Sequence, residues 1–142
     1  MATMGFQPYD MNGVHVVHLP SGTTGTFTKG DAVFLSSGVV TVAATTTTDI
    51  YGVAAAPAIT SGTVPVYVAD PSSVWVGEVD GVSVVTNLGT AYGIVGATGS
   101  MAIELLDTTT TIVRVIAIHP ADGYKTKGRV LFCWMSSSIQ GN

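Results

Sequence analysis

Hydrophobic residues recur along the chain in short runs, and glycine, proline, serine and threonine separate those runs. Runs of β-branched and aromatic residues between such breakers are typical of β-strands, because a helix would need one apolar face sustained over a longer stretch. Their regular spacing predicts an all-β fold consisting of a single small β-sandwich or β-barrel-like domain. The predicted strands cover residues 15–19, 32–35, 39–42, 50–55, 64–69, 74–79, 82–86, 91–95, 101–106, 112–118 and 130–135.

The clearest local signal is a hairpin at residues 32–42. Two β-branched and aromatic runs flank a short connection, Ser36-Ser37-Gly38. Glycine tolerates the positive φ angles that tight hairpin turns require. The sequence therefore predicts two antiparallel strands joined at this turn.

Residues 30–57 and 89–120 show an internal similarity. Each segment begins with a glycine, continues through a hairpin-like stretch and reaches a run of four threonines. The strand after each threonine run aligns Val53 with Ile116 and Ala54 with Ala117, and a proline follows. These matches indicate paired strand-turn-strand modules, although simple Thr-rich and Val-rich runs can also align by coincidence.

Composition supports the β prediction and excludes two classes of protein. Val, Thr and Ile account for 49 of the 142 residues, and β-branched side chains favour strands over helices. Charged residues make up only 10% of the chain, and five Lys and Arg face nine Asp and Glu. Intrinsic disorder needs low hydrophobicity and high net charge, and nucleic-acid binding needs a basic face, so neither class fits.

The length fits one domain. We expect an extended N-terminal arm and first strand at residues 1–20, followed by a single β-rich domain at residues 21–142.

The first residues lack the charged and apolar regions of a signal peptide. The uncharged stretch 81–103 contains Asn87 and five glycines, which predicts strand and loop rather than a membrane span. Cys133 is the only cysteine, so no intramolecular disulfide forms. These features predict folding in the cytosol without membrane association.

No pattern of residues points to catalysis. His15 and His18 are three residues apart, and on a strand that spacing directs them to opposite faces, which disfavours a shared metal. Cys133 lies in an apolar run, where it is expected to be a buried hydrophobic residue. Glu78 and Glu104 are the only glutamates and carry no catalytic motif. We therefore expect no enzyme, cofactor or metal site.

The scarcity of charge instead predicts burial against other subunits. A small monomer exposes much of its surface, and few charges are present here to keep that surface soluble. Aromatic residues and methionine are enriched in interface cores. For Phe132 and Trp134, completion of the domain core is an equally good interpretation. The candidate capsid or subunit interface comprises Met4, Phe6, Tyr9, Met11, Phe132, Trp134 and Met135.

Three short segments resemble the head-decoration, or capsid cement, proteins of tailed bacteriophages. They are Thr28-Lys29-Gly30-Asp31-Ala32-Val33-Phe34, then Asp49-Ile50-Tyr51-Gly52-Val53-Ala54, and the later Gly89-Thr90-Ala91-Tyr92. In that family a Gly-Asp-x-Val phrase, a following Gly-Val-Ala strand and a later glycine phrase recur on a small β-rich domain. The resemblance covers roughly residues 28–118.

The resemblance implies a non-enzymatic structural protein on the outside of a virion. Such proteins bind the major capsid protein, commonly as homo-trimers, and bridge neighbouring capsomers. An N-terminal arm could add a strand to an exposed sheet edge of the capsid protein. Residues 28–34 and their counterparts carry no catalytic roles in that family.

Two other functions remain open from the sequence. A tail, baseplate or fibre component would share this composition but occur in few copies per particle. A carbohydrate-binding β-sandwich would need a shelf of exposed aromatic rings, and the candidates for such a shelf are Trp75 with Tyr67 or Tyr51.

Overall fold

The computed structural model describes residues 5–22 and 26–140, and the regular secondary structure of this part of the chain is almost entirely β-strand. Its only helices are two three-residue 3-10 turns, Val85–Asn87 and Ser136–Ser138. The predicted all-β class is confirmed. The strands are β1 Gln7–Pro8, β2 Val16–Pro20, β3 Ala32–Ser36, β4 Val39–Val42, β5 Gly52–Ala54, β6 Thr63–Val68, β7 Trp75–Asp80, β8 Ala91–Val95, β9 Ala102–Glu104, β10 Val113–Ile118 and β11 Arg129–Trp134.

The strands form two sheets that pack together. One sheet has the order β2-β6-β5-β3-β4, and the other has the order β1-β7-β11-β10-β8-β9. In the second sheet β7 also pairs with β9 in parallel, through Val79 with Ile103 and Asp80 with Glu104. Because this pairing joins the two ends of the sheet, β7 to β11 form a closed five-stranded barrel.

The chain folds as two consecutive five-stranded units with the same strand order. We call residues 16–68 (β2 to β6) the first half and residues 75–134 (β7 to β11) the second half. Replacing each strand of the first sheet by the strand five places later reproduces the order β7-β11-β10-β8-β9. The structural equivalence is therefore wider than residues 30–57 and 89–120, since it includes the first and last strand of each unit.

Matching hydrogen bonds define which residues correspond in the two halves. The Gly30 N–H donates to the Ala54 carbonyl at 2.9 Å, and the Gly89 N–H donates to the Val115 carbonyl at 2.8 Å. Ala54 therefore corresponds to Val115, whereas the sequence alignment paired Ala54 with Ala117. The alignment was wrong by two residues in this strand, because the threonine runs before β5 and β10 do not occupy equivalent positions relative to the ladder.

The predicted hairpin forms between β3 and β4. Ser36 pairs with Val39, so the loop contains only Ser37 and Gly38. Both loop residues have positive φ, 51° for Ser37 and 79° for Gly38, which identifies the tight turn whose twist matches that of the flanking strands.

The segment 81–90 departs from the predicted strand at 82–86. Only Val82 forms a bridge, with Thr126, and residues 85–87 form a 3-10 turn. The Asn87 side-chain oxygen accepts a hydrogen bond from the Val84 N–H at 2.7 Å, and its amide nitrogen donates to the Tyr92 hydroxyl at 2.9 Å. A buried asparagine thus diverts the backbone away from a ladder, which is a common effect of short polar side chains.

Aromatic rings fill the centre of the main core. Phe6, Trp75, Phe132 and Trp134 are each at most 1% exposed. Their rings meet edge to face, with centroids 5.2 Å apart for Phe132 and Trp134 and 5.4 Å apart for Phe6 and Phe132. A smaller apolar cluster around Phe27 lies within the first half.

The N-terminal segment is extended and packed against the domain in its described part. β1 pairs with β7, and the Phe6 N–H donates to the Gly30 carbonyl at 2.8 Å. The opposite end of the chain also joins the fold, because the Gln140 side chain bonds both backbone groups of Leu35, at 2.7 and 2.8 Å. Both terminal segments are therefore bonded to the backbone of the first half.

Candidate interaction surfaces

The structure separates the predicted interface residues into buried and exposed groups. Phe6, Phe132 and Trp134 lie in the core, so the prediction that they meet a partner is wrong for this fold. Phe132 and Trp134 of β11 point into the core, and Phe6, which directly precedes β1, is brought into the core because β1 pairs with β7. The sequence pattern leaves burial in the core open, as an equal alternative for the two residues of β11 and as a weaker one for Phe6.

The remaining predicted interface residues differ in exposure. Tyr9 is 48% exposed and Met11 is 52% exposed, and the Tyr9 ring packs edge to face against His119 with centroids 5.7 Å apart. Met135 is half-buried. Met4 lies outside the described residues.

A larger exposed apolar surface lies at one end of the second half. We call it the apolar end. Its residues come from segment 81–88 and from the loops after β9 and β10. It comprises Val82, Val84, Val85, Leu88, Leu106 and Tyr124, with exposed fractions of 50%, 40%, 58%, 39%, 90% and 58%.

Backbone contacts bring the segments that carry these residues to the same end of the second half. Parallel pairing of Asp80 with Glu104 brings the residues that follow β7 alongside those that follow β9, so Val82 lies near Leu106. On the other side the Ser83 hydroxyl bonds the carbonyls of Gly123 and Lys125, at 3.4 and 3.3 Å, which flank Tyr124. Ser83 is fully buried, and the extended backbone around it therefore directs Val82 and Val84 outward.

An ion pair holds the loop that carries Tyr124. The Arg129 guanidinium donates to both carboxylate oxygens of Asp122, at 3.0 Å from Nε and through a shorter 2.6 Å contact from the terminal nitrogen. Hydrogen bonds from the Arg129 side chain and then from its backbone N–H hold the pKa of Asp122 well below its ordinary value. The same contact raises the pKa of Arg129. A bidentate pair of this kind fixes the loop geometry.

A cleft lies where the N-terminal segment crosses the first half. Its volume is about 190 Å³, and Phe6, Pro8, Met11, Lys29 and Tyr67 are among the residues that line it. We call it the Lys29 cleft. Sequence analysis missed it, because residues 6–11 and residue 67 are brought together only by the pairing of β1 with the second sheet.

Two other candidate sites do not assemble in the described residues. Trp75 is fully buried, so it cannot form an exposed sugar-binding shelf with Tyr67 or Tyr51. His15 and His18 are exposed at and beside the edge strand β2. In the described part of the chain no three His, Cys, Asp or Glu side chains group as metal ligands.

Across residues 5–22 and 26–140, no helix has the length and apolar character needed to cross a membrane. No known protein family matches the chain, and neither a curated protein sequence nor a solved structure matches it.

Proposed function

We propose that this protein is a non-enzymatic structural component of a phage virion that decorates the outside of the icosahedral capsid. The apolar end is the surface that docks on the major capsid protein, and repeated docking bridges and stabilises neighbouring capsomers. The observation that carries the proposal is the concentration of six exposed apolar side chains at one end of a chain with only 10% charged residues. Exposed apolar side chains concentrated in one region of a surface mark interaction sites.

The physical argument concerns many modest contacts. Full burial of one Val or Leu side chain contributes roughly 1.5–3 kcal/mol, and the loss of translational and rotational freedom offsets much of the total at a single site. A ligand that binds only the assembled shell stabilises it by mass action. Repetition over the lattice therefore converts weak docking into stabilisation of the particle, and trimers on the capsid would strengthen each attachment through multivalency.

Co-sedimentation with capsid shells from the source particle tests the docking surface. We expect the double variant Val85→Asp/Leu106→Asp to lose at least tenfold in binding, since both side chains are more than half exposed and their replacement leaves the core intact. The matched control is Ile59→Asp, which changes a residue of the first half that is 51% exposed. Equal binding by wild type and the double variant would contradict docking through the apolar end.

The copy number of the protein in purified particles tests its role. Quantitative mass spectrometry should give copies comparable to those of the major capsid protein. A handful of copies would instead identify a tail, baseplate or fibre component, and absence from particles would refute a virion role.

A further inference from the structure

The Lys29 cleft combines an apolar floor with free hydrogen-bond donors. Phe6 is 1% exposed and Ala54 is fully buried, and Pro8 and Met11 form part of the wall. Tyr67 also lines the cleft, and its hydroxyl bonds none of the residues that the structure describes. Ligand sites combine apolar surface with polar groups that orient the ligand, and both kinds of group are present here.

Lys29 differs from the other four cations of the chain. Lys125 and Arg129 contact Asp122, Lys127 contacts Asp80, and Arg114 donates to the Gly89 carbonyl at 2.6 Å. Lys29 is exposed and makes no ion pair or hydrogen bond with residues 5–22 or 26–140. Its ammonium group therefore retains all three donors for a ligand.

The walls of the cleft are held by main-chain bonds. The Phe6 N–H donates to the Gly30 carbonyl at 2.8 Å, and the Gly30 N–H donates to the Ala54 carbonyl at 2.9 Å. Gly5 has a φ of 72°, and a Cβ there would lie 2.9 Å from the Gly30 oxygen. The N-terminal segment thus sits too close to Gly30 to shift inward, and the cleft is preformed, which reduces the ordering cost of binding.

The equivalent position of the second half has a different hydrogen-bond partner. There the Gly89 carbonyl, which corresponds to that of Gly30, accepts from the Arg114 side chain. In the first half the Gly30 carbonyl accepts from the Phe6 N–H instead, and Lys29 lies at the rim of the cleft without an ion pair to the described residues. The free charge is therefore specific to the first half.

We propose that the Lys29 cleft binds an organic carboxylate with a compact apolar body, such as a benzoate-sized acid or the C-terminal residue of a peptide. The Lys29 ammonium pairs with the carboxylate, and the Tyr67 hydroxyl is available to donate to it. The apolar body packs against Phe6, Pro8 and Met11. A dry cavity of about 150 Å³ accommodates benzene, so about 190 Å³ accommodates a ring or a short aliphatic chain. The proposal does not depend on capsid binding.

Titration of the full chain followed by backbone NMR tests the charge requirement. The probes are benzoate and its uncharged analogue benzyl alcohol. Benzoate should shift the signals of residues 6–11, 29–30 and 67, and it should bind at least fivefold more tightly than benzyl alcohol. Equal affinity of the two probes, or shifts elsewhere, would overturn the proposal.

A pair of variants tests the role of Lys29. Lys29→Gln should weaken benzoate binding at least fivefold, whereas the matched control Lys127→Gln, which removes an exposed lysine of the second half, should leave it unchanged. If the two substitutions weaken binding equally, benzoate responds only to the net charge of the protein, and the proposed site is wrong. Because both side chains are at the surface, both variants retain the wild-type spectrum outside their own neighbourhoods.

A third comparison distinguishes the two sources of the carboxylate. A short peptide that ends in phenylalanine is titrated as the free acid and as the C-terminal amide. Tighter binding of the free acid than of benzoate assigns the cleft to peptide C-termini, and binding of benzoate alone assigns it to small acids. If neither the peptide acid nor benzoate shifts the cleft signals, the proposal is wrong.

Discussion

The two halves of the chain share a strand order but end their sheets differently. In the second half, the parallel pair of Val79 with Ile103 closes the barrel. Ser21 of the first half corresponds to Val79, because the Ser21 N–H donates to the Gly62 carbonyl at 2.8 Å as the Val79 N–H donates to the Gly128 carbonyl at 3.0 Å. Val40 corresponds to Ile103, because Val40 pairs with Leu35 as Ile103 pairs with Ile94. Ser21, which directly follows β2, and Val40 of β4 are buried beside a cavity of about 90 Å³, but β2 and β4 do not pair.

The second half is one residue longer than the first half at the end of its first strand. The Ser61 N–H donates to the Gly22 carbonyl, and the Lys127 N–H donates to the Gly81 carbonyl, each at 2.7 Å. Ser21 is followed directly by Gly22, whereas Asp80 lies between Val79 and Gly81. This additional residue of the second half pairs with Glu104. The comparison teaches that the strand order tolerates extensive sequence change, whereas closure of the barrel occurs in the half that has one additional residue at this point.

The first test of the difference between the halves concerns the main core. Most of its aromatic rings come from Phe6 and from the second half. Trp134→Ala should lower the free energy of unfolding by about 4 kcal/mol, through lost burial and a cavity. Chemical denaturation measures it. Phe27→Ala, in the smaller cluster of the first half, should cost about 3 kcal/mol.

Trp134→Phe is the control for ring packing. The Trp134 indole N–H has no hydrogen-bond partner among the described residues, so phenylalanine forfeits no bond and should cost much less than alanine. An alanine variant as stable as the phenylalanine variant would contradict a central role for this ring.

The second test concerns equivalent positions of the two halves, Asp31 and Thr90. Asp31 is 1% exposed, and its carboxylate accepts hydrogen bonds from the Thr28 N–H at 2.9 Å and the Gly99 N–H at 3.0 Å. Asp31→Ala should cost about 2 kcal/mol because these donors lose a charged acceptor. Thr90→Ala removes one exposed hydroxyl bond to Thr86 and should cost less than about 1 kcal/mol. Similar losses in thermal or chemical denaturation would remove this distinction between the halves.

The third test uses the loops between the last two strands of each half. The loop at residues 119–128 is held by Asp122 and Arg129, whereas residues 55–62 contain no charged side chain. The depressed pKa of Asp122 means that its stabilisation is complete above the ordinary carboxyl pKa and is lost as the pH falls below it. Asp122→Asn should therefore cost about 2 kcal/mol at neutral pH, and the difference from wild type should shrink below about pH 4.

Asp80→Asn is the control for this effect. The Asp80 carboxylate pairs with Lys127 at 3.3 Å, and both side chains are substantially exposed. Exposed pairs contribute less than about 1 kcal/mol. A pH-independent loss in Asp122→Asn would show that the ion pair does not stabilise the loop.

Local patterns predicted most strands but not every contact. The β3–β4 hairpin follows from its turn residues and its alternating pattern, and β8 has the predicted bounds. The strand predicted at 82–86 failed because its backbone follows the Asn87 side chain rather than a neighbouring strand. The candidate interface was wrong for Phe6, Phe132 and Trp134, since hydrophobicity does not distinguish a core residue from an exposed one.

The sequence by itself determined the β class, the hairpin and the similarity between two segments, because turn chemistry and apolar periodicity act over a few neighbouring residues. Only the tertiary structure decided the closure of one barrel, the burial of Phe6 and the assembly of the apolar end and the Lys29 cleft. Those features join residues far apart in the chain, such as Gly30 with Phe6 and Val82 with Leu106. Their proximity depends on strand order and register, which a local pattern does not specify.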